Sequence, residues 1–336
     1  MTQTRSLGAL APILLCLLAG PARADGEPEP VPGQNEPVGT WRFRTDRPVK
    51  AVIVGGSVAA YDAGNFGTVL QEACSNTEVV NIAKARYGAW AMKRRFEAQV
   101  LKNRNLKTPK GDHWVVILGG LNSVGTPEKT NAELFQLIRS ARGAKMKVVG
   151  LSLSPWGSEG DSRRWAGTAG LAYRRHTRKV VDFLMGRLAP ADALGRHAKD
   201  KAAWEDGDLP DVSVDLYDSP LRDTTALLRS REAMERAVDR SPAIRKELAA
   251  LPEEERAAAR ERLISEAREL PRWYLRKELH SFDDIHPNRE GHRLIAAEAC
   301  ARLPTSWGCD CGVIAAKAPK PDAKPGGAAS TGASAR

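Results

Sequence analysis

The sequence predicts an α/β protein: a central parallel sheet of about five strands with helices on both of its faces. Two observations carry that expectation. Short runs rich in β-branched residues recur at residues 52–54, 78–82, 114–118 and 148–153, as expected of strands covered on both faces. Between them apolar residues return at helical intervals, and strands that alternate with helices along a chain pair in parallel.

Taken in order, residues 25–40 are proline-rich and acidic with no apolar period, which reads as an extended linker into a folded part over residues 41–313. The first strand ends abruptly at Gly55-Gly56-Ser57, after which Phe66, Val69, Leu70 and Ala73 keep a helical spacing. Ser57 is therefore expected at a strand-to-helix turn on the carboxyl edge of the sheet, with helix-end N–H groups aimed at whatever binds there. The second strand is expected at residues 78–82 and the third at WVVIL, residues 114–118. A helix over residues 131–142 presents Leu134, Leu137, Ile138 and Ala141 on one side and stops at Gly143. The fourth strand, 148–153, leads to a helix over about 170–188 with Val180, Val181, Leu184, Met185 and Leu188 facing inward. Val212, Val214 and Leu216 alternate with polar residues as a fifth, peripheral strand.

Residues 221–280 break this rhythm with a charged helical insertion. Ser241-Pro242 is a cap followed by a first-turn proline, and Leu263, Ile264, Ala267 and Leu270 repeat at helical intervals. Pro252 and Pro271 interrupt the period, which argues against a coiled-coil surface and leaves a solvated decoration or a lid over a site. Residues 314–336, mostly Ala, Lys, Pro, Gly and Ser, form a tail that cannot bury enough apolar area to order itself.

Residues 1–24 read as a cleaved export signal: Arg5, an apolar run from Leu7 to Leu18, and the small-x-small pattern Ala22-Arg23-Ala24. A secreted or periplasmic location follows. No later stretch reaches the roughly 20 apolar residues of a membrane span. The formal charge of +10 is spread among many acids with no basic stripe and no interleaved aromatics, so nucleic acid is not an expected partner. With Cys16 in the signal, Cys74, Cys300, Cys309 and Cys311 remain, and an even count in an exported chain suggests two disulfides. If the first and last helices are neighbours, Cys74 and Cys300 each bridge to the Cys309/Cys311 pair. The alternative for Cys-x-Cys, a zinc site, lacks further ligands at a recognisable spacing.

Four stretches carry chemistry. Ser57 follows the first strand, Gly88 lies in the loop after the second, Asn122 follows the third, and FDDIHPNREGH, residues 282–292, precedes a final helix whose inner face is Leu294, Ile295 and Ala299. The ends of parallel strands share one edge, where sites form. A serine hydroxyl becomes a nucleophile when an imidazole accepts its proton, and the imidazole needs a carboxylate to fix its tautomer. Asp283 and His286, three residues apart, let the carboxylate reach back to Nδ1 while Nε2 faces Ser57. The Ser57 and Gly88 N–H groups and the Asn122 amide are the candidate donors to an oxyanion. His292 and His113 read as packing or surface residues. Tyr61, Trp90 and Trp156 are candidates for a sugar-stacking pocket.

These blocks, GGSVAAYDAGNFG, Asn81 to Gly88, GGLN and DDIHPNREGH, resemble in order the blocks of the GDSL-type, or SGNH, hydrolase superfamily. The resemblance spans about residues 47–304 apart from the insertion. It implies a flavodoxin-like three-layer α/β/α fold, Ser57 as nucleophile, Gly88 and Asn122 as oxyanion donors, His286 as base and Asp283 as its orienting carboxylate. The chain departs from the family pattern at Gly56, where aspartate is usual, and at Ala83, where a glycine is common. The expected function is an exported serine esterase without metal or cofactor, acting on O-acetyl or other short-chain esters of carbohydrate or cell-envelope polymer. The alternatives are an O-acyltransferase on a polysaccharide and a non-catalytic envelope protein that keeps the fold.

Overall fold

β1 (Val49–Gly55) is buried along its whole length, and its alternate side chains feed two separate cores. The protein is described from a computed structural model, which covers residues 38–62, 64–106 and 111–316. The expected export signal, nearly all of the linker and all but the first three residues of the tail lie outside the described residues.

β1 is followed by α1 (Phe66–Ala73), β2 (Thr77–Asn81), α2 (Ala89–Phe96), β3 (Asp112–Leu118), α3 (Pro127–Gly143), β4 (Lys147–Leu151), α4 (Ala169–Leu184), α5 (Pro190–Leu194) and β5 (Val212–Val214). The strands form one parallel sheet in the order β2-β1-β3-β4-β5. This is the α/β sheet expected, with the 212–214 strand at its edge. Val52, Val54, Val115, Ile117 and Val148 pack beneath α2, α3 and α4 on one face. Ala51, Ile53, Val116, Leu118 and Val149 pack on the other, against α1 and α9 (Arg289–Cys300).

Helix ends follow local chemistry. α3 starts four residues before the expected 131 because Pro127 occupies its first turn with φ already set for a helix. α4 stops at Leu184, short of the expected 188, and Gly186 then takes a left-handed φ of 67°. α2 was not anticipated, although Ala89, Met92 and Phe96 keep a helical interval and all are buried.

The expected insertion contains α6 (Arg231–Arg240), α7 (Pro242–Ala249) and α8 (Glu253–Glu269). Met234, Val238, Ile244, Leu263, Ile264 and Ala267 join the same core as α3 and α4. Burial on that scale contributes to the main fold rather than decorating it. At the other end, α10 (Cys311–Ala316) crosses the expected domain boundary at 313. Cys74 is bonded to Cys309 and Cys300 to Cys311, which fastens the C-terminal segment to α1 and α9 and rules out the zinc alternative. Backbone bonds from Ser75 and Asn76 to Gly308 and Trp307 reinforce the attachment.

Candidate active site

Ser57 sits two residues beyond β1, after a pair of glycines where close packing leaves no room for side chains. A Cβ on Gly55 would lie 2.2 Å from the Leu118 carbonyl oxygen and 2.4 Å from the Ala59 Cβ. A Cβ on Gly56 would lie 2.9 Å from the Tyr87 carbonyl oxygen and 3.3 Å from Asn122 Nδ2. That crowding accounts for glycine at position 56: the Asn122 amide donates to the Tyr87 carbonyl at 3.2 Å across the space an aspartate would need. Ser57 lies in the expected connection between β1 and α1, and the chain makes a turn of its own before the helix. The Ala60 N–H bonds back to the Gly56 carbonyl at 3.0 Å in an isolated turn, and α1 begins only after Asn65, whose side chain caps it through the Gly67 N–H. Asn65 and Asn81 amides both donate to the Ala59 carbonyl, at 2.8 and 2.7 Å, and hold that turn in place.

The partner arrives from the loop before α9. His286 Nε2 lies 2.7 Å from Ser57 Oγ, and Nδ1 lies 2.9 Å from each oxygen of Asp283. A carboxylate only accepts, so Nδ1 carries the proton and Nε2 offers its lone pair to the serine hydroxyl. Burial alone would raise the Asp283 pKa, but the His286 and Ile285 N–H bonds and the imidazole outweigh it and hold the carboxyl below its ordinary range. The Asn288 side chain accepts from the Glu290 and Gly291 N–H groups and caps α9, which leaves the Asp283 carboxylate to His286.

Beside Ser57 lies a small recess of about 20 Å³ lined in part by Val58, Leu118, Leu121, Asn122 and Leu153. It is mostly apolar and large enough for one or two heavy atoms. Ser57 and Asn122 both face it, whereas Gly88 does not line it. Gly88 is the Ncap of α2, next to Tyr87, whose carbonyl receives the Asn122 amide. No residue between 221 and 280 lines the recess, so the lid alternative finds no contact there.

The fold is similar to that of solved G-D-S-L lipolytic proteins. A member of that lipolytic family from Veillonella parvula aligns at 11% identity and a TM-score of 0.41, covering 75% of this chain and 97% of its own. A GDSL-like lipase from Bacteroides thetaiotaomicron aligns at 14% identity and 0.44, covering 78% and 90%. An acetylxylan esterase from Geobacillus stearothermophilus, solved as a catalytic mutant, aligns at 15% identity and 0.38, covering 78% and 95%. No protein-family model and no curated protein matches the chain.

The aromatic candidates fare differently. Trp156 is 2% exposed, donates through Nε1 to Thr177 Oγ1 at 3.0 Å and packs edge-on against Trp165 and Tyr173, so it is core and offers no face to a sugar. Tyr61 is half-buried with one face stacked on His292, at 4.9 Å between ring centres. Trp90, also half-buried, packs against the core from α2. The aromatic ring that does stand open at the site is Phe282, 77% exposed and stacked on His286 at 5.0 Å. Its place inside the block 282–292 was visible, and its exposure was not.

Two further residues support the loop. Asp284 accepts from Ser158 Oγ at 2.6 Å, its carbonyl accepts from the Gly157 N–H at 2.7 Å, and its other oxygen lies 3.4 Å from His280 Nδ1. His292 is fully buried between Tyr61 and Phe66 with neither ring nitrogen bonded, and burial, aided by the charge of His286, lowers its pKa to about 4. Among the described residues no group of three or more His, Cys, Asp or Glu side chains gathers as a metal site.

Proposed function

We propose that this chain is an exported serine ester hydrolase that removes acetyl or similarly short acyl groups from carbohydrate or cell-envelope material. One observation carries the reading: the unbroken chain of contacts from Ser57 Oγ through His286 to Asp283. His286 Nε2 takes the hydroxyl proton as Ser57 Oγ attacks the ester carbonyl. The Ser57 N–H, the Asn122 amide and the Gly88 N–H are the proposed donors to the resulting oxyanion. Collapse of the tetrahedral intermediate breaks the bond to the alcohol, which leaves with the proton from His286. Water then attacks the acyl-enzyme, gives its proton to His286, and releases the acid as that proton returns to Ser57 Oγ. Asp283 remains ionised throughout and stabilises the imidazolium, consistent with its lowered pKa.

The size of the recess supports a short acyl group, since about 20 Å³ holds a methyl but not an alkyl chain. Two disulfides support an oxidising location, and among the described residues no helix is long and apolar enough to cross a membrane. The carbohydrate alcohol rests on these same features together with the exposed Phe282 ring beside His286, an apolar face of the kind sugars stack on. The experiment is hydrolysis of p-nitrophenyl acetate by the intact chain and by Ser57→Ala, with fluorophosphonate labelling of both. Activity and labelling confined to the unaltered chain support the reading. Activity that persists in Ser57→Ala refutes it, and acetyl transfer to an added polysaccharide in place of free acetate would assign a transferase.

A further inference from the structure

Just past Asn122 the chain runs into a second, much larger cleft of about 840 Å³, open to solvent. Gly125, at its near end, is three residues from Asn122, so their Cα atoms are at most about 11 Å apart. The cleft is walled by three elements: α3 supplies Lys129, α4 supplies Arg175, His176 and Lys179, and the turn after α5 supplies Arg196 and His197.

The charges there are not balanced. Glu128 is the carboxylate in the wall, and it is taken up by Lys179, whose hydrogen bond keeps it ionised. Arg175 is shared with Glu247 at 3.0 Å and Glu266 at 3.7 Å. Lys129 and Arg196 have no carboxylate partner among the described residues, and both are exposed. Unpaired cations in a concave wall focus a positive potential and raise the local concentration of anions. A neutral ligand would gain nothing from them. Because the two free cations come from separate elements, they suit charges spaced along a chain better than charge gathered on one group. The volume matches the roughly 300–1,000 Å³ of ligand-binding clefts and exceeds what a single small anion needs.

We propose that this cleft binds an anionic polysaccharide, a chain bearing carboxylates, and holds it so that an ester on a nearby unit reaches Ser57. This rests on the esterase reading above and narrows its substrate to acylated acidic carbohydrate. Lys129 and Arg196 bind the chain and take no part in the acyl chemistry, so their loss should raise KM for a polymeric ester and leave kcat unchanged.

The test compares the intact chain with Lys129→Glu/Arg196→Glu and with the milder Lys129→Ala/Arg196→Ala. Binding of de-esterified polygalacturonate is measured by calorimetry at low salt, beside a neutral galactan and single-stranded DNA as other polymers. The expected result is a tenfold or greater loss of polygalacturonate affinity in the charge-reversed chain and a smaller loss in the alanine chain. Binding should weaken with added salt in the intact chain, and galactan should not bind. Hydrolysis of p-nitrophenyl acetate by each variant should match that of the intact chain and so reports correct folding. Equal affinity for galactan, equal affinity of the variants, or tighter binding of DNA overturns the proposal. Because binding is read without turnover, a Ser57→Ala chain that still binds polygalacturonate separates failure of the esterase reading from failure of the cleft.

Discussion

The two halves of the site are held by different physics. Ser57 is carried at the end of a strand buried from Val49 to Gly55, in a turn pressed against β3 and pinned by two asparagine amides. His286 is carried by a half-exposed loop, closed at its base by a bridge between His280 and Pro287 and tied to residues 157–158 through Asp284. Ser57 is placed by close packing together with those two amide bonds, whereas His286 is placed chiefly by hydrogen bonds within and around an exposed loop. The difference implies that activity and stability can be separated on one side of the site and not on the other.

The largest effect is expected on the polar side. Asp283→Asn should keep the loop but offer Nδ1 the wrong partner, and kcat should fall by about 10³–10⁴-fold with the melting temperature nearly unchanged. A small change in kcat would remove Asp283 from the proposed role. On the packed side, Gly55→Ala forces a methyl against the Leu118 carbonyl and Ala59, so stability should drop by roughly 1–3 kcal/mol and activity with it. A stable but inactive protein would break the contrast. Asp284→Ala removes the tie to Ser158, and about a tenfold loss in kcat is expected with little change in unfolding. Restoration of kcat in Asp284→Asn, which can still accept from the hydroxyl, would confirm positioning rather than charge as its contribution.

The smallest effect concerns His292, which lies on the packed side. Its native pKa of about 4 is below the ordinary value near 6.5. The unfolded chain therefore binds a proton in that interval that the folded chain does not, and stability falls as pH drops from 6.5 toward 4. Between pH 7 and 5.5 this amounts to roughly 1 kcal/mol. His292→Phe, which fits between Tyr61 and Phe66 without burying two unbonded nitrogens, should flatten the slope in urea titrations. An unchanged slope would show that His292 is not the group responsible.

Much of this is legible in the sequence, because the signals are local. The runs at 52–54 and 114–118 are strands, the Asp283–His286 spacing does let one carboxylate reach Nδ1, and Leu294, Ile295 and Ala299 do form the inner face of α9. Even the cysteine pairing was nearly complete, since two of the four thiols are too close to bond each other and only the choice of partner stayed open. Trp156 went the other way: an aromatic after a strand end could face a groove or a core, and only the positions of Trp165 and Tyr173 around it decide which.

What the sequence determined by itself is the set of elements and the chemistry waiting at their ends, because hydrophobic period and residue type act over a few neighbouring positions. What the tertiary structure decided is which distant residues share space. Ser57 and His286 are 229 positions apart and meet at 2.7 Å, Ser158 reaches Asp284 across 126, and Lys129 and Arg196 share one cleft wall from separate elements. No local pattern encodes those meetings; they follow from the sheet order and from which face each helix covers.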